Sequence, residues 1–237
     1  MTETQPERLL VVNADDLGLS GGVNTGILYA ARHGIVTSAS LMVRGPAAVE
    51  AARAVRARPG LSVGLHLDLA EWEHDGQQWR PRYQVVDTDD AAAVAVELGR
   101  QLDRFVALTG HGPTHLDSHQ HVHRSEPVAA LVTAAGARLG VPVRGVSPLT
   151  YRGDFYGQTG KGEPYRSALS VAALTAVLES LPVGRTELGC HPGFSEDLDS
   201  SYALEREVEV RVLCDPAIAA TVGRAGIELV PMPGWPP

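Results

Sequence analysis

The chain alternates short apolar segments with longer segments of helical periodicity, and this alternation restricts its fold more than any other feature. Leu9–Asn13, Ile35–Val43 and Leu61–Leu67 are rich in aliphatic and small residues, as is typical of buried strands. Between the first two, Gly21–His33 carries apolar residues four apart and follows Ser20, a residue type that caps helices, so we predict a helix there. Strands that alternate with helices in this way pair in parallel and are covered by the helices.

The alternation continues to the end of the chain. Further strands are predicted at Thr114–Ser118, Pro142–Val146, Thr186–Cys190 and Ile227–Pro231. Further helices are predicted at about 47–58 (closed by Pro59-Gly60), 89–108, 125–139, 169–181, 203–213 and 216–225. Segments 70–88 and 147–166 have no clear period and are predicted to be loops. About seven strands favour a closed or nearly closed barrel in one domain over residues 1–237, with an open doubly wound sheet as the alternative.

Composition and charge exclude several classes of protein. The net charge of −8 argues against a nucleic-acid polyanion as the main partner. Cys190 and Cys214 are the only cysteines and form no CxxC pair, so neither a disulfide framework nor a thiolate zinc site is expected. No stretch approaches about 18 apolar residues, and the start of the chain lacks a basic segment followed by a long apolar one. We therefore expect neither a membrane span nor a secretory signal, and by default a cytoplasmic protein.

Four short stretches concentrate acids and histidines where predicted strands end. They are NADDLG at 13–18, GLHL at 64–67, HLDSHQHVH at 115–123 and CHPG at 190–193. Because the carboxyl ends of parallel strands meet at one face, these side chains are expected to converge there. One carboxylate and two imidazoles from separate segments can bind a divalent ion, and a second carboxylate beside them can act as a base. The chain is therefore predicted to be a metal-dependent hydrolase.

Asp15 and Asp16 are the first of these candidates. An adjacent pair of aspartates is most often an exposed loop or a helix cap, but this pair directly follows the buried run Val11–Asn13. Two carboxylates so close repel each other unless a cation or a shared proton intervenes. His66 taken alone is more often a hydrogen-bonded core residue than a ligand, and its apolar neighbours fit both interpretations.

Four histidines and Asp117 recur at alternate positions of the segment 115–123. If the segment were extended throughout, these side chains would share a face, yet the first and last would lie roughly 26 Å apart. They cannot all bind one ion, and several are expected to form a hydrogen-bonded rim. Spacing slightly favours His119 and His121 as a chelating pair, but it does not decide between that pair and His66 with either of them.

His191 lies between Cys190 and Pro192, and a residue before proline is held extended. Its ring would therefore project in a defined direction. A proton donor and an ordinary loop residue are equally compatible with this position.

The NADDLG, GLHL, THLDSHQHVH and CHPG segments together resemble the YdjC-like carbohydrate deacetylases, a family that includes chitooligosaccharide deacetylases and deacetylases of hopanoid biosynthesis. The similarity runs through all four motifs in order, over about residues 9–194. THLDSHQHVH is specific and NADDLG moderately so, and Gly34–Ser38 matches as well. Leu17 stands where many members carry phenylalanine, which is a conservative apolar change.

The resemblance implies a distorted (β/α) barrel that binds one divalent metal ion and removes an N-acetyl group from an amino sugar, an oligosaccharide or a glycolipid. It assigns Asp16, His66 and His119 to the metal, and this assignment replaces the preference that spacing gave. It makes Asp15 the general base and His191 the general acid. Magnesium and zinc are the expected metals, with cobalt, nickel and manganese as alternatives. The oligomeric state is left open, and the family analogy is compatible with a homodimer.

Other residues are expected to support this site. Asp117, His121 and His123 are candidates for orienting the ligands, and Trp72 and Tyr156 for contacting the sugar. Further aromatic candidates for stacking on sugar faces are Trp79, Tyr83, Tyr151 and Tyr165. The substrate is left open, since chito-oligosaccharides, phosphorylated disaccharides and glycolipid-linked N-acetylglucosamine all fit, and the loops at 70–88 and 147–166 would shape the pocket.

Two other classes of protein remain as alternatives. One carboxylate with two histidines is also the facial triad of non-haem Fe(II) oxygenases, which are usually double-sheet jelly rolls. A non-catalytic carbohydrate- or metal-binding protein on the same scaffold is the second alternative. The presence of both Asp15 and His191 argues against that second class.

Overall fold

A computed structural model of the chain describes residues 7–58 and 60–233. The strands in this part of the chain are β1 (Arg8–Leu17), β2 (Ser38–Leu41), β3 (Ser62–Leu67), β4 (Ala70–His74), β5 (Trp79–Gln84), β6 (Leu116–Ser118), β7 (Thr150–Arg152), β8 (Gly184–Cys190) and β9 (Ile227–Leu229). The α-helices are α1 (Gly21–His33), α2 (Ala48–Arg56), α3 (Ala91–Thr109), α4 (Val128–Leu139), α5 (Val171–Glu179), α6 (Ala203–Leu213) and α7 (Pro216–Arg224). Pro59, the expected end of the second helix, lies outside the described residues.

The main sheet has seven parallel strands in the order β6-β3-β2-β1-β8-β7, with β9 also paired to β1. The strand β1 lies in the middle of the sheet. One edge of β1 pairs with β8, and the other edge pairs with β9 at residues Arg8–Leu10 and with β2 from Asn13 onward. Helices cover the sheet, with α1 against β1, α3 against β3 and α7 against β9. The curled, parallel arrangement confirms the predicted distorted (β/α) barrel.

Helix ends follow the local signals in the sequence. Ser20 accepts a hydrogen bond from the Val23 amide at the start of α1, and Asp90 caps α3 in the same way. Asp215 caps α7, whose first residue is a proline. Gly110 terminates α3 in the left-handed conformation that glycine adopts at low cost. The predicted cap Ser20 is therefore confirmed, and the helix predicted to begin at about residue 89 is capped by Asp90.

Three predicted segments differ from the structure. Residues 70–88 are not an unstructured loop, since β4 and β5 pair there as an antiparallel hairpin. The hairpin was missed because its charged and aromatic residues lie on a wall beside a cavity, where no apolar alternation is needed. The predicted strand Pro142–Val146 is wrong: only Val143 bridges to Leu116, and the left-handed Gly145 then turns the chain away. The segment 147–166 contains the short β7.

Alternation along β1 separates an apolar layer from a polar interior. Leu10, Val12 and Ala14 are fully buried members of the hydrophobic core. Asn13 and Asp15, on the opposite face of the strand, are equally buried but polar. Buried polar groups persist only when they are hydrogen-bonded or paired, so the inside of the barrel must be a connected polar network. Within residues 7–58 and 60–233, no helix has the length and apolarity needed to cross a bilayer.

Helix α1 contacts the segment after β8 through a glycine. A Cβ atom on Gly26 would lie 2.5 Å from the Gly193 Cα, so the two backbones touch directly. This close approach fixes where the chain leaves β8 at residues 190–193.

We expect Gly26→Ala to lower the free energy of unfolding by about 1–3 kcal/mol, because the new methyl group overlaps the Gly193 backbone. Gly99→Ala is the matched control, since Gly99 is also inside a helix and its added Cβ would meet nothing within 4 Å. The free energy of unfolding of Gly99→Ala should rise by roughly 0.5–1 kcal/mol, because alanine has a higher helix propensity than glycine. Urea unfolding of both variants measures this, and equal stabilisation by the two would contradict the contact.

Candidate active site

Acids and histidines from four strands meet at the carboxyl end of the main sheet, around a cavity of about 990 Å³. Asp15 and Asp16 come from β1, His66 from β3 and His119 from the turn after β6, while His191 directly follows β8. The four stretches that the sequence singled out therefore converge at one mouth of the barrel.

Adjacent residues of a regular strand point to opposite faces, yet both aspartates line the cavity. The pairing of β1 with β2 explains this, because Ala14–Leu17 lies opposite the shorter Ala39–Leu41 and one residue of β1 is extra. Asp16 takes up the irregularity with a left-handed φ of 67°. Aspartate tolerates this conformation better than most residues do.

Asp16, His66 and His119 form a compact group of potential metal ligands. The Asp16 Oδ1 atom lies 3.2 Å from His66 Nε2 and 3.1 Å from His119 Nδ1. Ligand atoms on one ion at roughly 2.0–2.2 Å are separated by about such distances. The His66 Nδ1 atom is bonded to Asp117 Oδ1 at 2.7 Å, so Nδ1 carries the proton and the Nε2 lone pair faces the group. The residues present therefore fit a divalent metal ion.

Charged neighbours shift the pKa values of Asp16 and His66 in opposite directions. Burial alone would raise the pKa of Asp16, but the Arg206 guanidinium and hydrogen bonds from His119 and His66 hold it well below its ordinary value. Burial would lower the pKa of His66, but Asp117 and Asp16 raise it well above the usual range. The His119 Nε2 atom is buried and has no hydrogen-bond partner among the described residues.

A second group, Asp15 with His66 and Asp117, also places potential ligand atoms close together in the described part of the chain. Arg144 fills this space. Its NH2 nitrogen lies 2.7 Å from Asp15 Oδ1 and 2.7 Å from Asp117 Oδ2. Because a guanidinium already neutralises both carboxylates, the group around Asp16 is the better metal site of the two.

Arg144 connects three strands inside the barrel. Besides Asp15 on β1 and Asp117 on β6, it donates to Glu187 on β8 at 2.7 Å, and the arginine side chain is fully buried. Burial would raise the pKa of Asp15, but Arg144 lowers it below its ordinary value, so Asp15 is ionised. Ser40 donates to Asp117 at 2.7 Å and accepts from Asn13, which closes the network.

His191 faces Asp15 across the cavity, with its Nε2 atom 3.8 Å from Asp15 Oδ2. Its backbone N–H donates to Glu209 of α6, whose other oxygen accepts from Tyr202. The Tyr156 ring contacts His191 edge-on, at 5.2 Å between centroids, and stacks on Tyr202. Burial lowers the pKa of His191 to about 4, and burial raises that of Glu209 to about 8.

The other histidines of the 115–123 segment have different surroundings. The chain leaves β6 at Ser118 and turns through Gln120 and His121, both in the left-handed region, so the alternation ends there. Within the described residues His121 belongs to neither potential ligand group, and its ring lies against Tyr151. His123 is bonded at both nitrogens, to Ser118 Oγ and the Arg144 carbonyl.

The aromatic candidates divide into two groups. Four of them line the cavity: Trp72, Trp79, Tyr151 and Tyr156. The Tyr83 hydroxyl instead donates to Asp68, and Tyr165 is more than half exposed on a loop.

Sequence reasoning missed Arg144, Arg206 and Glu209. Arg144 lies in the middle of the predicted strand Pro142–Val146, where nothing in the sequence distinguishes it from an exposed strand residue. Arg206 and Glu209 lie three apart on α6, where charged and apolar side chains are buried together. A helix whose charged residues leave no clear apolar stripe was the available signal for them.

Comparison with known proteins gives three findings. The family model described as YdjC-like protein matches residues 9–224. A chitooligosaccharide deacetylase of Klebsiella pneumoniae (strain 342) is 34% identical over 251 residues, covering 94% of this chain and 97% of that protein. A carbohydrate deacetylase of Geobacillus stearothermophilus is 33% identical over 245 residues, and the match covers 94% of this chain and 96% of that protein.

Solved structures show the same fold. A crystal structure from Enterococcus faecalis V583, of a candidate cellobiose-phosphate cleavage protein, has a TM-score of 0.76 and 24% identity, and the match covers 95% of this chain and 97% of that one. A family 4 carbohydrate esterase from Streptomyces lividans, in complex with acetate, has a TM-score of 0.56 and 16% identity over 93% of this chain and 90% of its own.

We expect Arg144→Met to destabilise the protein by about 3–5 kcal/mol near neutral pH, because three buried carboxylates lose their cation. Without the guanidinium, burial raises the carboxylate pKa values, so the folded variant favours the neutral acids. The loss of stability should therefore shrink as the pH falls from about 8 to about 5. Arg152→Met, which breaks a partly exposed pair with Asp154, is the control and should cost less than about 1 kcal/mol. A pH-independent loss measured by thermal unfolding would contradict this account.

Proposed function

The chain belongs to the YdjC-like protein family, and from this premise we propose that it is a metal-dependent hydrolase that removes an N-acetyl group from an amino sugar. The observation that carries the proposal is the group Asp16, His66 and His119, which lies beside Asp15 and His191 at one cavity. Relatives named chitooligosaccharide and carbohydrate deacetylases, matched over nearly their whole length, support the choice of an acetylated sugar.

Asp16, His66 and His119 would hold the metal ion. A divalent ion bound there would polarise the acetamide carbonyl and lower the pKa of the attacking water. One carboxylate and two imidazoles suit zinc, and they also accept magnesium, cobalt, nickel or manganese. Arg206 donates to the outer oxygen of Asp16 at 2.6 Å, which leaves the Oδ1 atom as the oxygen presented to the ion.

Asp15 is the general base of the proposed reaction. Its carboxylate is ionised and held in one orientation by two hydrogen bonds from Arg144, at 2.6 and 2.7 Å. A fixed, ionised carboxylate at the cavity wall can accept a proton from the water that attacks the acetyl carbon. Asn13 donates to the same carboxylate at 2.8 Å and restricts it further.

His191 is the general acid. Burial favours its neutral form, so the imidazole must gain a proton before it can donate one. The Asp15 Oδ2 atom lies 3.8 Å from His191 Nε2, so the proton that Asp15 accepts is the one that would pass to the imidazole. His191 then gives this proton to the nitrogen of the leaving amine, which is otherwise too basic to depart.

The remaining candidates support this arrangement. Asp117 orients His66, and His123 holds the turn after β6 against the Arg144 backbone. His121 and Tyr156 are wall residues that we assign to substrate contact, together with Trp72. An Fe(II) oxygenase is disfavoured because the sheet is parallel and helix-covered rather than a double-sheet jelly roll.

We expect Asp16→Ala and His119→Ala to lose metal binding, because each removes one of three ligands. Asp15→Asn should bind metal with nearly wild-type affinity, since its oxygens are occupied by Arg144 rather than by the ion. Titration calorimetry with zinc and with magnesium on the metal-stripped protein measures this. If Asp15→Asn and Asp16→Ala lost metal affinity equally, the assignment of Asp16, and not Asp15, as the ligand would be contradicted.

We expect the wild-type protein to release acetate from one or more N-acetylated sugars, tested over mono-, di- and trisaccharides and a glycolipid head group. Asp15→Asn and His191→Ala should each lower kcat by about 10²–10⁴-fold, the usual contribution of a positioned base or acid. Far-UV circular dichroism confirms that the variants are folded. Acetate release by folded Asp15→Asn at nearly the wild-type rate would refute the proposed base.

A further inference from the structure

The β4–β5 hairpin forms one wall of the cavity. Glu71 lies at its inner end, half-buried, where burial raises the pKa of the carboxyl against the opposing effect of His119. Trp72 and Trp79 follow outward and expose 39% and 48% of their surface. Partly exposed tryptophans along a cavity wall offer flat apolar faces to a ligand that extends away from the metal centre.

A two-stranded hairpin is only marginally stable by itself, so something must hold this wall in place. At its stem, Tyr83 donates to Asp68, and the Val85 amide donates to the Leu69 carbonyl. At its outer strand, Arg82 pairs with Asp199, but that contact is exposed and exposed ion pairs contribute little. None of these contacts stabilises the middle of β4, where Trp72 lies.

Gln120 holds that middle position with two hydrogen bonds. The Trp72 N–H donates to Gln120 Oε1 at 2.8 Å, and Gln120 Nε2 donates to the Trp72 carbonyl at 2.7 Å. The amide side chain thus replaces a neighbouring strand along the free edge of β4. Its partner on β5, Pro81, has no N–H to donate, so the Trp72 carbonyl is left for Gln120.

Gln120 also directly follows His119, the proposed metal ligand. It has a left-handed φ of 49°, and His121 follows with a φ of 56°. Two consecutive non-glycine residues in this region cost free energy and persist only where the surroundings stabilise them. The pair of bonds to Trp72 is one such stabilising contact, and it joins the sugar-facing wall to the metal-binding turn through a single residue.

We propose that Gln120 is a positioning residue: it fixes the β4–β5 hairpin relative to the metal centre, so that Trp72 and Trp79 bind the sugar ring next to the one that is deacetylated. This inference rests on the proposed function. It assigns no role to Gln120 in metal binding or in proton transfer.

The test uses Gln120→Asn, because asparagine tolerates the left-handed backbone but its side chain is one methylene too short to bridge to Trp72. Gln77→Asn is the matched control, since Gln77 is exposed in the hairpin turn and is not part of the cavity wall. Both changes are made in the Asp15→Asn background, so that binding is measured without turnover. The probes are N-acetylglucosamine and its β-1,4-linked disaccharide, titrated by calorimetry with the metal present.

We expect Gln120→Asn to weaken disaccharide binding by about tenfold, with monosaccharide binding and metal affinity changed less than about twofold. Gln77→Asn should match the background protein, and Trp79→Ala should reproduce the selective loss for the disaccharide. Trypsin should also cleave Gln120→Asn after Arg82 several times faster than it cleaves the control, because the hairpin has lost its central tie.

Equal losses for the two sugars, or an unchanged disaccharide affinity, would overturn the proposal. A tenfold fall in metal affinity would overturn it as well, since Gln120 would then act through His119. Acetate release plays no part in these readouts. A protein that binds the disaccharide selectively but releases no acetate would refute the proposed function and leave the role of Gln120 intact.

Discussion

The buried guanidinium of Arg144 is the interaction on which the rest of this structure depends. It bonds carboxylates from β1, β6 and β8, and all four side chains are buried. Removing a charge from water is costly unless it is paired and fully hydrogen-bonded. Each of these carboxylates is paired with the same arginine, so electrostatic pairing joins the three strands across the interior. In a purely apolar core, side-chain packing would join them.

This pairing also separates the roles of two adjacent aspartates. Asp15 faces Arg144 and is fully engaged by it, whereas Asp16 faces His66 and His119 and is bonded to Arg206 only at its outer oxygen. The extra residue in β1 and the left-handed conformation of Asp16 allow the neighbours to point into the same cavity with different partners. Two chemically identical residues thus acquire different charge environments, which suits one to binding a cation and the other to accepting a proton.

Most of the fold could be predicted because helix caps and apolar strand segments depend on residues that are close together in the sequence. Ser20 and Asp90 cap helices through amides two or three residues away, and the strand β8 was placed within two residues of its observed start. The hairpin at 70–84 was missed because β4 and β5 stabilise each other and bind Gln120, which lies far along the chain. The strand predicted at Pro142–Val146 was wrong because Gly145 turns the chain away immediately after Arg144 enters the barrel.

The order of residue types along the chain was enough to predict that strands and helices alternate, that acids and histidines lie at strand ends, and that four motifs resemble one family in order. Each of these facts is a property of residue type and spacing along the chain. Which histidines meet Asp16 depends on the three-dimensional fold, since the turn at Gln120 and His121 ends the alternation that would have placed them all on one face. It also decided that Arg144 and Arg206 face the two aspartates, because pairing between charges more than a hundred residues apart depends on how the strands are arranged in space.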